Sequence, residues 1–586
     1  MKFSGMLGAP GRLAWHPTSL VTLFTCALAL PANAHAQAVG SGAPTRDELR
    51  GVTAQPPEQA PRLDVSGDIE RSPCPLADPQ FNDVRITVGS VTFNNLKGAT
   101  ADELAPAWRP FAGSEQPISV ICEIRDAAAT ILRGKGYLAA VQVPVQRIEN
   151  GNVVLEVLYA RLTAVRARGE TRGAERKLEQ YLGGLAKDEI FDRRKAERYL
   201  LLARDLPGYN VRLTLKPAGT GVGDLIGEVS VVRQPYSVDL TLQNLATKAT
   251  GRWGGQVRAQ FFGLTGLGDV TSLSYYATAD FKEQHILQAL HEFRPGSEGL
   301  VVGANFTYAW TKPNLGANTP LDAKTLYASM HGRYPIRRSQ ASNLWVSAGL
   351  DYVAQNIDLA GAPLNRDRLT VAWARLDYDA IDTANVLPRW KLGASAEIRQ
   401  GLDVFGATRS CIGVTCGNAT PTTRFDGRPT ATVVRFEGSA EVRIGTFSIV
   451  GRTRAQHAFR PLLSFEEFTA GNFTVGRGYD PGTLIGDDGI GLSGEIRAPR
   501  IALGKLEGAR IQPFVFVDTA WVWNKDTSGS QNLTSLGGGV RSVLGDRFRL
   551  EATVAVPAKR AGLQARRGDT RFLLTLTSRI LPWRTK

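Results

Sequence analysis

From residue 235 to the end of this 586-residue chain, apolar and polar side chains alternate with a period of two. Successive side chains of a strand point to opposite sides, so each alternating segment has one apolar and one polar face. A β-sandwich would alternate in the same way. Three observations favour a membrane barrel instead: the segments are long (about 10 residues), they are numerous, and Tyr and Trp recur near their ends. The pattern predicts a transmembrane antiparallel β-barrel over residues 235–586.

The alternating region divides into about sixteen strands. They start near residues 236, 252, 269, 284, 299, 324, 343, 368, 389, 432, 446, 489, 511, 535, 547 and 571. An even number is what bacterial single-chain barrels require, and closure removes sheet edges that lipid could not hydrogen-bond. If the preceding segments are periplasmic, the first strand runs outward and connections after odd strands face outside.

The first 36 residues have the features of a secretory signal peptide. Lys2 and Arg12 are basic, Leu20 to Leu30 is apolar, and Ala34-His35-Ala36 is a small-residue cleavage site. The apolar run is well short of the ~20 residues that a spanning helix needs. We therefore expect an exported protein.

Residues 37–79 are rich in Pro, Gly and charge and are expected to form a linker. Thr45-Arg46-Asp47-Glu48 has the spacing of a capping box, which indicates a short helix, and Gly51 would end it. Such a helix is a candidate plug for the barrel.

Residues 80–160 and 161–234 repeat one order of elements, β-α-α-β-β, so we expect two α+β domains. In the first, helical periodicity covers 101–111 and 118–134, and two strands flank the Asn150-Gly151 hairpin turn. In the second, we expect a strand at 162–168, helices near 173–183 and 192–205, and strands at 209–216 and 225–233.

Four cysteines remain after Cys26 leaves with the signal peptide. An even number in an oxidising compartment favours disulfides, and we pair Cys74 with Cys122 and Cys411 with Cys416. Unpaired thiols are the alternative. No histidines flank these cysteines at zinc-like spacing, so we expect no metal site.

The net charge is +14, but the basic residues are scattered rather than clustered. This favours a cationic lumen or rim over nucleic-acid binding. The chain has no phosphate loop, no H-E-x-x-H and no G-x-S-x-G motif. We therefore expect neither an enzyme nor a bound cofactor.

Residues 471–491 form a Gly-rich loop in which Arg477 stands between Gly476 and Gly478. Loops of this length inside compact architectures are usually functional. A solvated surface loop is the alternative, since loops commonly lie at the surface.

In the later strand around residue 518, Asp518 shares parity with Phe514 and Phe516, while Val515 and Val517 form the lipid-compatible face. A carboxylate facing lipid would be costly, so Asp518 is expected to point into the lumen. A guanidinium such as that of Arg477 can bind a carboxylate at two points. In a wet lumen the pair would contribute about 1 kcal/mol. Asp518 could instead pair with another of the many arginines.

Three motifs carry a resemblance to a known family. They are Leu206-Pro207-Gly208 followed by Pro217-Ala218-Gly219; Arg477-Gly478-Tyr479 with Gly486-Asp487-Asp488-Gly489; and Phe516-Val517-Asp518-Thr519-Ala520. In this order, they resemble the outer-membrane transporters of two-partner secretion, the haemolysin and filamentous-haemagglutinin secretion/activation family of the BamA superfamily. Gly476 stands where that family usually has Val, and Ala520 where it usually has Gly.

The resemblance implies that the two α+β domains are periplasmic POTRA domains and that the barrel lies in the outer membrane. It also implies that the loop carrying Arg477, Gly478 and Tyr479 enters the barrel and meets Phe516 and Asp518 on the wall. The implied partners are an unfolded exoprotein, membrane lipid and the barrel-assembly machinery, with no nucleic acid. A barrel-assembly insertase and a passive porin are alternative functions.

Overall fold

The computed structural model describes most of the chain after the N-terminal 41 residues. The described residues are 42–51, 73–173, 175–186, 189–221, 223–315, 320–385, 387–409, 420–504, 508–525, 527–545, 547–562 and 566–582. Within these ranges, no helix combines the length and the apolar character that a bilayer-spanning helix needs.

The first described element is a short helix, α1 (Arg46–Gly51). The expected capping box is present: Glu48 N donates to Thr45 Oγ1 (3.2 Å), and Thr45 N donates to Glu48 Oε2 (2.6 Å). These two bonds satisfy backbone donors that a helix start leaves free.

Unit 1 follows, a small α+β domain. Its elements are β1 (Arg85–Thr87), β2 (Ser90–Asn94), α2 (Ala101–Leu104), β3 (Glu115–Pro117), α3 (Val120–Gly134), β4 (Ala139–Gln142) and β5 (Asn152–Tyr159). The main sheet has the order β2-β5-β4, and β1 pairs with β3. Buried Ile121 and Ile124 of α3 pack on Val153 and Leu155 of β5.

The helix expected over 101–111 is one α-turn followed by two 3₁₀ turns, Ala105–Ala107 and Arg109–Phe111. Pro106 and Pro110 are the reason, because proline lacks the N–H that would continue an α-helix.

Unit 1 contains the expected disulfide between Cys74 and Cys122, whose Cα atoms are 5.9 Å apart. It ties the segment before β1 to the first turn of α3, and this prediction is confirmed. Cys411 and Cys416 lie outside the described residues, so their pairing stays a prediction.

Unit 2 has the expected order of elements: strand, helix, helix, strand, strand. Its elements are β6 (Arg161–Gly169), α4 (Glu175–Gly183), α5 (Arg193–Arg204), β7 (Tyr209–Pro217) and β8 (Asp224–Arg233). The sheet order is β6-β8-β7, with β6 parallel and β7 antiparallel to the central strand. Leu178 and Leu200 of the helices are buried against Leu213 and Val229 of the sheet. The domain boundaries, and the identity of the units as POTRA domains, stay predictions.

The remainder of the described chain forms a closed barrel of sixteen antiparallel strands, which confirms the predicted fold class. The strands are β9 (Tyr236–Gln243), β10 (Gly254–Phe262), β11 (Val270–Thr278), β12 (Gln284–Phe293), β13 (Val301–Thr311), β14 (Leu321–Arg338), β15 (Ser342–Leu359), β16 (Ala362–Ile381), β17 (Trp390–Leu402), β18 (Thr432–Ile444), β19 (Phe447–Ala458), β22 (Asp488–Arg497) with its short continuation β23 (Ile501–Ala502), β24 (Arg510–Trp523), β25 (Gln531–Leu544), β26 (Phe548–Pro557) and β27 (Arg571–Leu581). The first strand, β9, pairs with the last, β27. The largest offset from the expected starts is at β16, which begins at Ala362.

Two further strands, β20 (Phe468–Ala470) and β21 (Leu484–Gly486), pair only with each other within the described residues. They belong to the connection between β19 and β22, which is the sixth connection on its side of the barrel. We call residues 459–487 the sixth loop.

Unit 2 packs against one end of the barrel, which we call the proximal end; the other is the distal end. Arg338, the last residue of β14, binds both carboxylate oxygens of Asp205 at 2.7 Å. Lys177 Nζ donates to Gly296 O (2.7 Å), between β12 and β13. These connections follow even-numbered barrel strands, so the sixth loop starts at the distal end.

At the distal end, β14, β15 and β16 extend far beyond the length a bilayer requires. They contain 18, 18 and 20 residues, whereas a tilted membrane strand needs about 9–11. Ala360 (φ 51°) and Gly361 (φ 81°) form the exposed two-residue turn between β15 and β16. Positive φ at both positions matches the right-handed twist of a tight hairpin.

Candidate functional site

The sixth loop folds back into the barrel lumen instead of lying on the surface. The short β20–β21 hairpin carries residues 471–483 at its tip. Val475 and Tyr479 of this tip are buried against Val522 and Leu533 on the barrel wall. The surface alternative for this loop is therefore wrong.

Arg477 lies against the wall strands β22 and β24. Its Nε and Nη2 donate to the two carboxylate oxygens of Asp518 at 2.9 and 2.8 Å, and its backbone N–H donates to Asp518 Oδ2 at 3.0 Å. Its Nη1 donates to Glu495 (3.0 Å), and the guanidinium lies 3.5 Å from the ring centre of Phe516. Ser493 Oγ donates to Asp518 Oδ1 at 2.8 Å. The two predicted wall residues, Phe516 and Asp518, are thus both in contact with Arg477.

The expectation of a hydrated pair is wrong. The side chains of Arg477 and Asp518 are 16% and 2% exposed, and that of Glu495 is 1% exposed. Phe516 covers the guanidinium, and the loop tip itself excludes water from the wall. A buried charge that loses its partner costs far more than an exposed one. The cluster therefore fixes the position of the loop more strongly than the sequence indicated.

The glycines beside Arg477 are required by geometry. Gly476 has φ 122°, and a Cβ there would lie 2.6 Å from Leu533 Cδ1. A Cβ on Gly478 would lie 2.8 Å from Ser535 Cβ and 2.9 Å from the backbone of Pro557. Gly476, where the resembling family usually has Val, thus suits a backbone conformation that other side chains rarely adopt. The apolar contact is supplied by Val475 instead.

Tyr479 and Asp480 attach the other side of the loop tip to the last barrel strands. The Tyr479 hydroxyl lies 2.8 Å from the carbonyl oxygens of Thr534 and Lys559. Asp480 forms ion pairs with Arg252 (3.1 Å) and Arg571 (2.9 Å). The Arg-Gly-Tyr sequence therefore joins β22 and β24 on one side to the β25–β27 wall on the other.

Helix α1 also lies in the lumen. Asp47 pairs with Arg454 of β19 (2.9 Å) and accepts from the Thr469 hydroxyl in the sixth loop (2.6 Å). Arg46 pairs with Glu397 of β17 (3.3 Å), and Leu49 is 4% exposed in an apolar cluster. Its neighbours there are Tyr276, Ile286, Ala309, Val353, Leu369, Val371, Leu463 and Phe465. Part of the segment expected to be a linker is thus a short helix inside the lumen, and its role as a plug stays a prediction.

A second charged cluster was missed from the sequence. Arg399, 1% exposed, binds Asp351 (2.8 Å) and both carboxylate oxygens of Glu466 (2.9 Å each). Arg435 also donates to Glu466 (2.9 Å). Charged residues recurring at inward parity in β15, β17 and β18 were the available signal. This cluster holds the base of the sixth loop, as Arg477 holds its tip.

Asp487, in the Gly-Asp-Asp-Gly motif, is fully buried near the distal end. It accepts hydrogen bonds from the Arg424 guanidinium (2.6 Å), Leu462 N (2.7 Å) and Lys525 N (2.9 Å). One carboxylate thereby links three distal connections. No cluster of three or more His, Cys, Asp or Glu side chains in the described ranges has the arrangement of a metal site.

The comparisons with known proteins agree with this geometry. The family model of the haemolysin secretion/activation protein ShlB/FhaC/HecB matches residues 228–542. The heme/hemopexin transporter protein HuxB of Haemophilus influenzae (strain 86-028NP) is 24% identical over 221 residues, which are 37% of this chain and 39% of HuxB. The match thus spans about two-fifths of that relative's length.

Solved structures share the fold. CdiB from Escherichia coli superimposes with a TM-score of 0.70 at 16% identity, over 91% of this chain and 96% of CdiB. CdiB from Acinetobacter baumannii gives 0.62 at 17% identity, over 90% of this chain and 95% of that protein. BamA from Haemophilus ducreyi lacking POTRA domains 1–3 gives 0.50 at 13% identity, over 85% and 100%. The family match covers more than half of the chain and includes the sixth loop and its wall partners, so the protein belongs to the haemolysin secretion/activation family ShlB/FhaC/HecB, whose members are β-barrel transporters of the outer membrane.

Proposed function

We propose that this protein is the transporter of a two-partner secretion system. It carries a large β-rich exoprotein from the periplasm to the cell surface, with or without activating it, and it catalyses no reaction. One observation carries the proposal: the lumen of a closed barrel holds the chain's own sixth loop and helix α1. A lumen occupied in this way must open before a polypeptide can pass and can close again afterwards.

In this proposal units 1 and 2 lie in the periplasm and receive the unfolded partner. Each sheet has two outer strands, β2 and β4 in unit 1 and β6 and β7 in unit 2. Among the described residues, each of them pairs with only the central strand of its sheet. An extended polypeptide can add a strand to such an edge, using main-chain hydrogen bonds that do not depend on sequence. That suits a cargo kept unfolded before export.

Helix α1 is the element that leaves the lumen when cargo arrives. It contacts the wall through Arg46, Asp47 and Leu49, whereas the sixth loop is bound at both its base and its tip. Folding of the β-rich partner outside the cell supplies the free energy of transport. Outer-membrane lipid surrounds the apolar face of the strands, and the barrel-assembly machinery inserts the barrel.

A passive porin would need an unobstructed lumen, which the loop and helix argue against. An insertase for other barrels shares the fold, but two units rather than a longer array argue against it. The partner of a transporter is expected to be encoded beside it, as a large exported β-rich protein.

The test is secretion of that neighbouring gene product in cells that carry or lack residues 80–160. The full-length protein is expected to release the partner to the surface. The deletion is expected to abolish release while the barrel stays inserted and heat-modifiable, since unit 1 has its own core. Normal release by the deletion variant would refute the recognition role, and assembly defects in unrelated barrels would favour the insertase.

A further inference from the structure

One part of the proximal mouth of the barrel is left uncovered by unit 2. The contacts of unit 2 described above lie on the connections that follow β12 and β14. On the opposite arc, the ends of β17, β18 and β24 carry basic side chains. We call Arg389, Lys391, Arg443, Arg500 and Arg510 the basic rim.

The basic rim faces the lumen rather than the membrane. Lys391 has the parity of Glu397 and Arg399, whose side chains bind groups inside the barrel. Arg443 lies between Val442 and Ile444, which are 44% and 60% exposed on the outer, apolar face. Successive side chains of a strand alternate between faces, so the basic groups line the mouth.

The rim is not neutralised from within the protein. None of its five side chains forms an ion pair with another residue in the described ranges, and Arg389, Arg500 and Arg510 are exposed. Arg443 N donates to Arg389 O (2.7 Å), so these two arginines are cross-strand neighbours. Like charges in such positions destabilise a sheet.

The nearby carboxylates already have partners. Glu495 binds Arg541 and Arg497, both at 2.6 Å, and Glu441 lies 3.3 Å from Arg497. Glu551 binds Arg541 at 2.9 Å. Asp382 accepts from Arg389 N (2.9 Å), and Glu441 stands opposite Lys391 in the β17–β18 pairing. The five basic groups of the rim still outnumber these two carboxylates, so a net positive charge is available to a ligand that approaches from the proximal side.

We propose that the basic rim binds acidic stretches of the unfolded polypeptide as it enters the barrel. The proposal rests on the proposed transport function and adds the chemistry of the cargo. The basic rim lies on the side of the barrel mouth opposite unit 2. An exported polypeptide that has passed unit 2 therefore meets the rim before it reaches helix α1. Attraction between exposed charges raises the local concentration and the association rate of an acidic segment more than its final affinity.

Anionic lipid headgroups are the competing ligand class. They would approach from outside the wall, where the same strand ends present Trp390, Val442, Ile444 and Phe447. Those side chains are apolar, so the geometry favours a polypeptide inside the mouth.

The test measures binding of two labelled peptides to the full-length protein in nanodiscs of neutral lipid. One is an unstructured Gly/Ser peptide with regularly spaced Glu, and the other has Gln at the same positions. The variant combines Arg389→Gln, Arg443→Gln and Arg510→Gln. The control combines Arg409→Gln, Arg460→Gln and Arg560→Gln, which removes the same charge from exposed distal positions.

We expect the Glu peptide to bind more tightly than the Gln peptide at about 0.1 M salt, where the Debye length is about 10 Å. We expect the rim variant to weaken Glu-peptide binding about 10-fold, since three exposed charges are lost. The distal control should change it less than about twofold, because the distal end lies several Debye lengths away.

Equal binding of the two peptides, or equal weakening by rim variant and control, would overturn the proposal. In a parallel assay with nanodiscs that contain anionic lipid, a rim variant that changes lipid retention but not Glu-peptide binding would assign the rim to the membrane and also overturn the proposal. The proposed transport function is judged separately by secretion of the partner. Release of the partner by the wild-type protein, with no preference for the Glu peptide, would reject the rim and leave the transporter.

Discussion

The sixth loop and helix α1 occupy the same lumen but are held in different ways. Arg477 makes a bidentate contact with Asp518, and Tyr479 is bonded at the opposite wall. Helix α1 has six residues. It is held by ion pairs of Arg46 with Glu397 and Glu466 and of Asp47 with Arg454, by the hydrogen bond from Thr469 to Asp47, and by buried Leu49. Close glycine contacts lock the loop tip, whereas the helix is a short element laid against a polar cavity.

This difference separates a fixed part of the barrel from a removable one. The loop's charges are desolvated, so breaking one contact leaves a buried group without its partner. The charges of the helix are buried too, but its wall partners keep other ion pairs when it leaves, Glu397 with Arg399 and Arg454 with Glu437. The same fold thus contains a fixed element, the sixth loop, which we call the strut, and a removable element, helix α1. Five variants test that contrast.

The largest effect is expected from Arg477→Ala. It leaves buried Asp518 unpaired, and breaking a buried pair of this kind costs about 3–5 kcal/mol. We expect strongly reduced secretion and a lower unfolding temperature of the barrel, measured by heat-modifiability on gels. The matched control is Arg460→Ala, an exposed arginine of the same loop.

The double variant Arg477→Ala with Asp518→Ala sharpens this result. Coupled residues give a double variant no worse than the more damaging single one. Additive losses would show that the two residues act separately and that the loop is not one strut.

A smaller effect on stability, but a clear one on opening, is expected from Arg46→Ala combined with Asp47→Ala. The helix loses the ion pairs of Arg46 and Asp47 and should leave the lumen more often. Planar-bilayer recordings should show more frequent and longer openings than the wild type. Unchanged conductance would mean that Leu49 and the adjoining chain hold the helix without these charges.

Tyr479→Phe should weaken the loop without releasing it. The phenol O–H donates to one of two carbonyl oxygens that lie 2.8 Å away, and the phenol oxygen accepts from Lys559 N (3.2 Å). Its loss removes these bonds and should cost about 1 kcal/mol. The expected reading is a small drop in unfolding temperature with near-normal secretion. A loss of stability and secretion as large as that of Arg477→Ala would show that Tyr479 contributes as much as Arg477 to holding the loop.

The smallest effect is expected from Asp205→Asn, outside the lumen. Its partner Arg338 is 16% exposed and Asp205 is 29% exposed, so the pair should contribute about 1 kcal/mol or less. Hydrogen exchange should increase at the surface of α5 while the lumen stays protected. Faster hydrogen exchange in the sixth loop would show that the contact between unit 2 and the barrel also stabilises the loop.

Local patterns were sufficient for the strands and for the direction of Asp518, because strand parity depends only on the backbone. Applied to every strand, the same parity argument would also have identified Arg399 and Glu397 as charged residues that face the lumen. The depth of burial at Arg477 could not be read in this way. It depends on how far a loop enters the barrel, which is set by glycine contacts with Leu533 and Ser535, remote in sequence.

Helix α1 shows a similar division. Its start at Thr45 follows from the capping box, a purely local signal. Its place in the lumen depends on Glu397 and Arg454, more than 300 residues further along the chain. No local pattern in a Pro- and Gly-rich segment indicates such distant partners.

The long β14–β16 strands provide a site at which the protein can be labelled on living cells. Their hairpin ends in Ala360 and Gly361, a compact turn whose neighbours are exposed. An epitope tag inserted between these two residues would leave the pairing of β15 with β16 in place, although the bond from Ala360 N to Pro320 O lies at the insertion point, and the tag would stand clear of the bilayer. Staining of intact cells would then report which end of each molecule faces the medium, and would count the correctly oriented molecules one cell at a time.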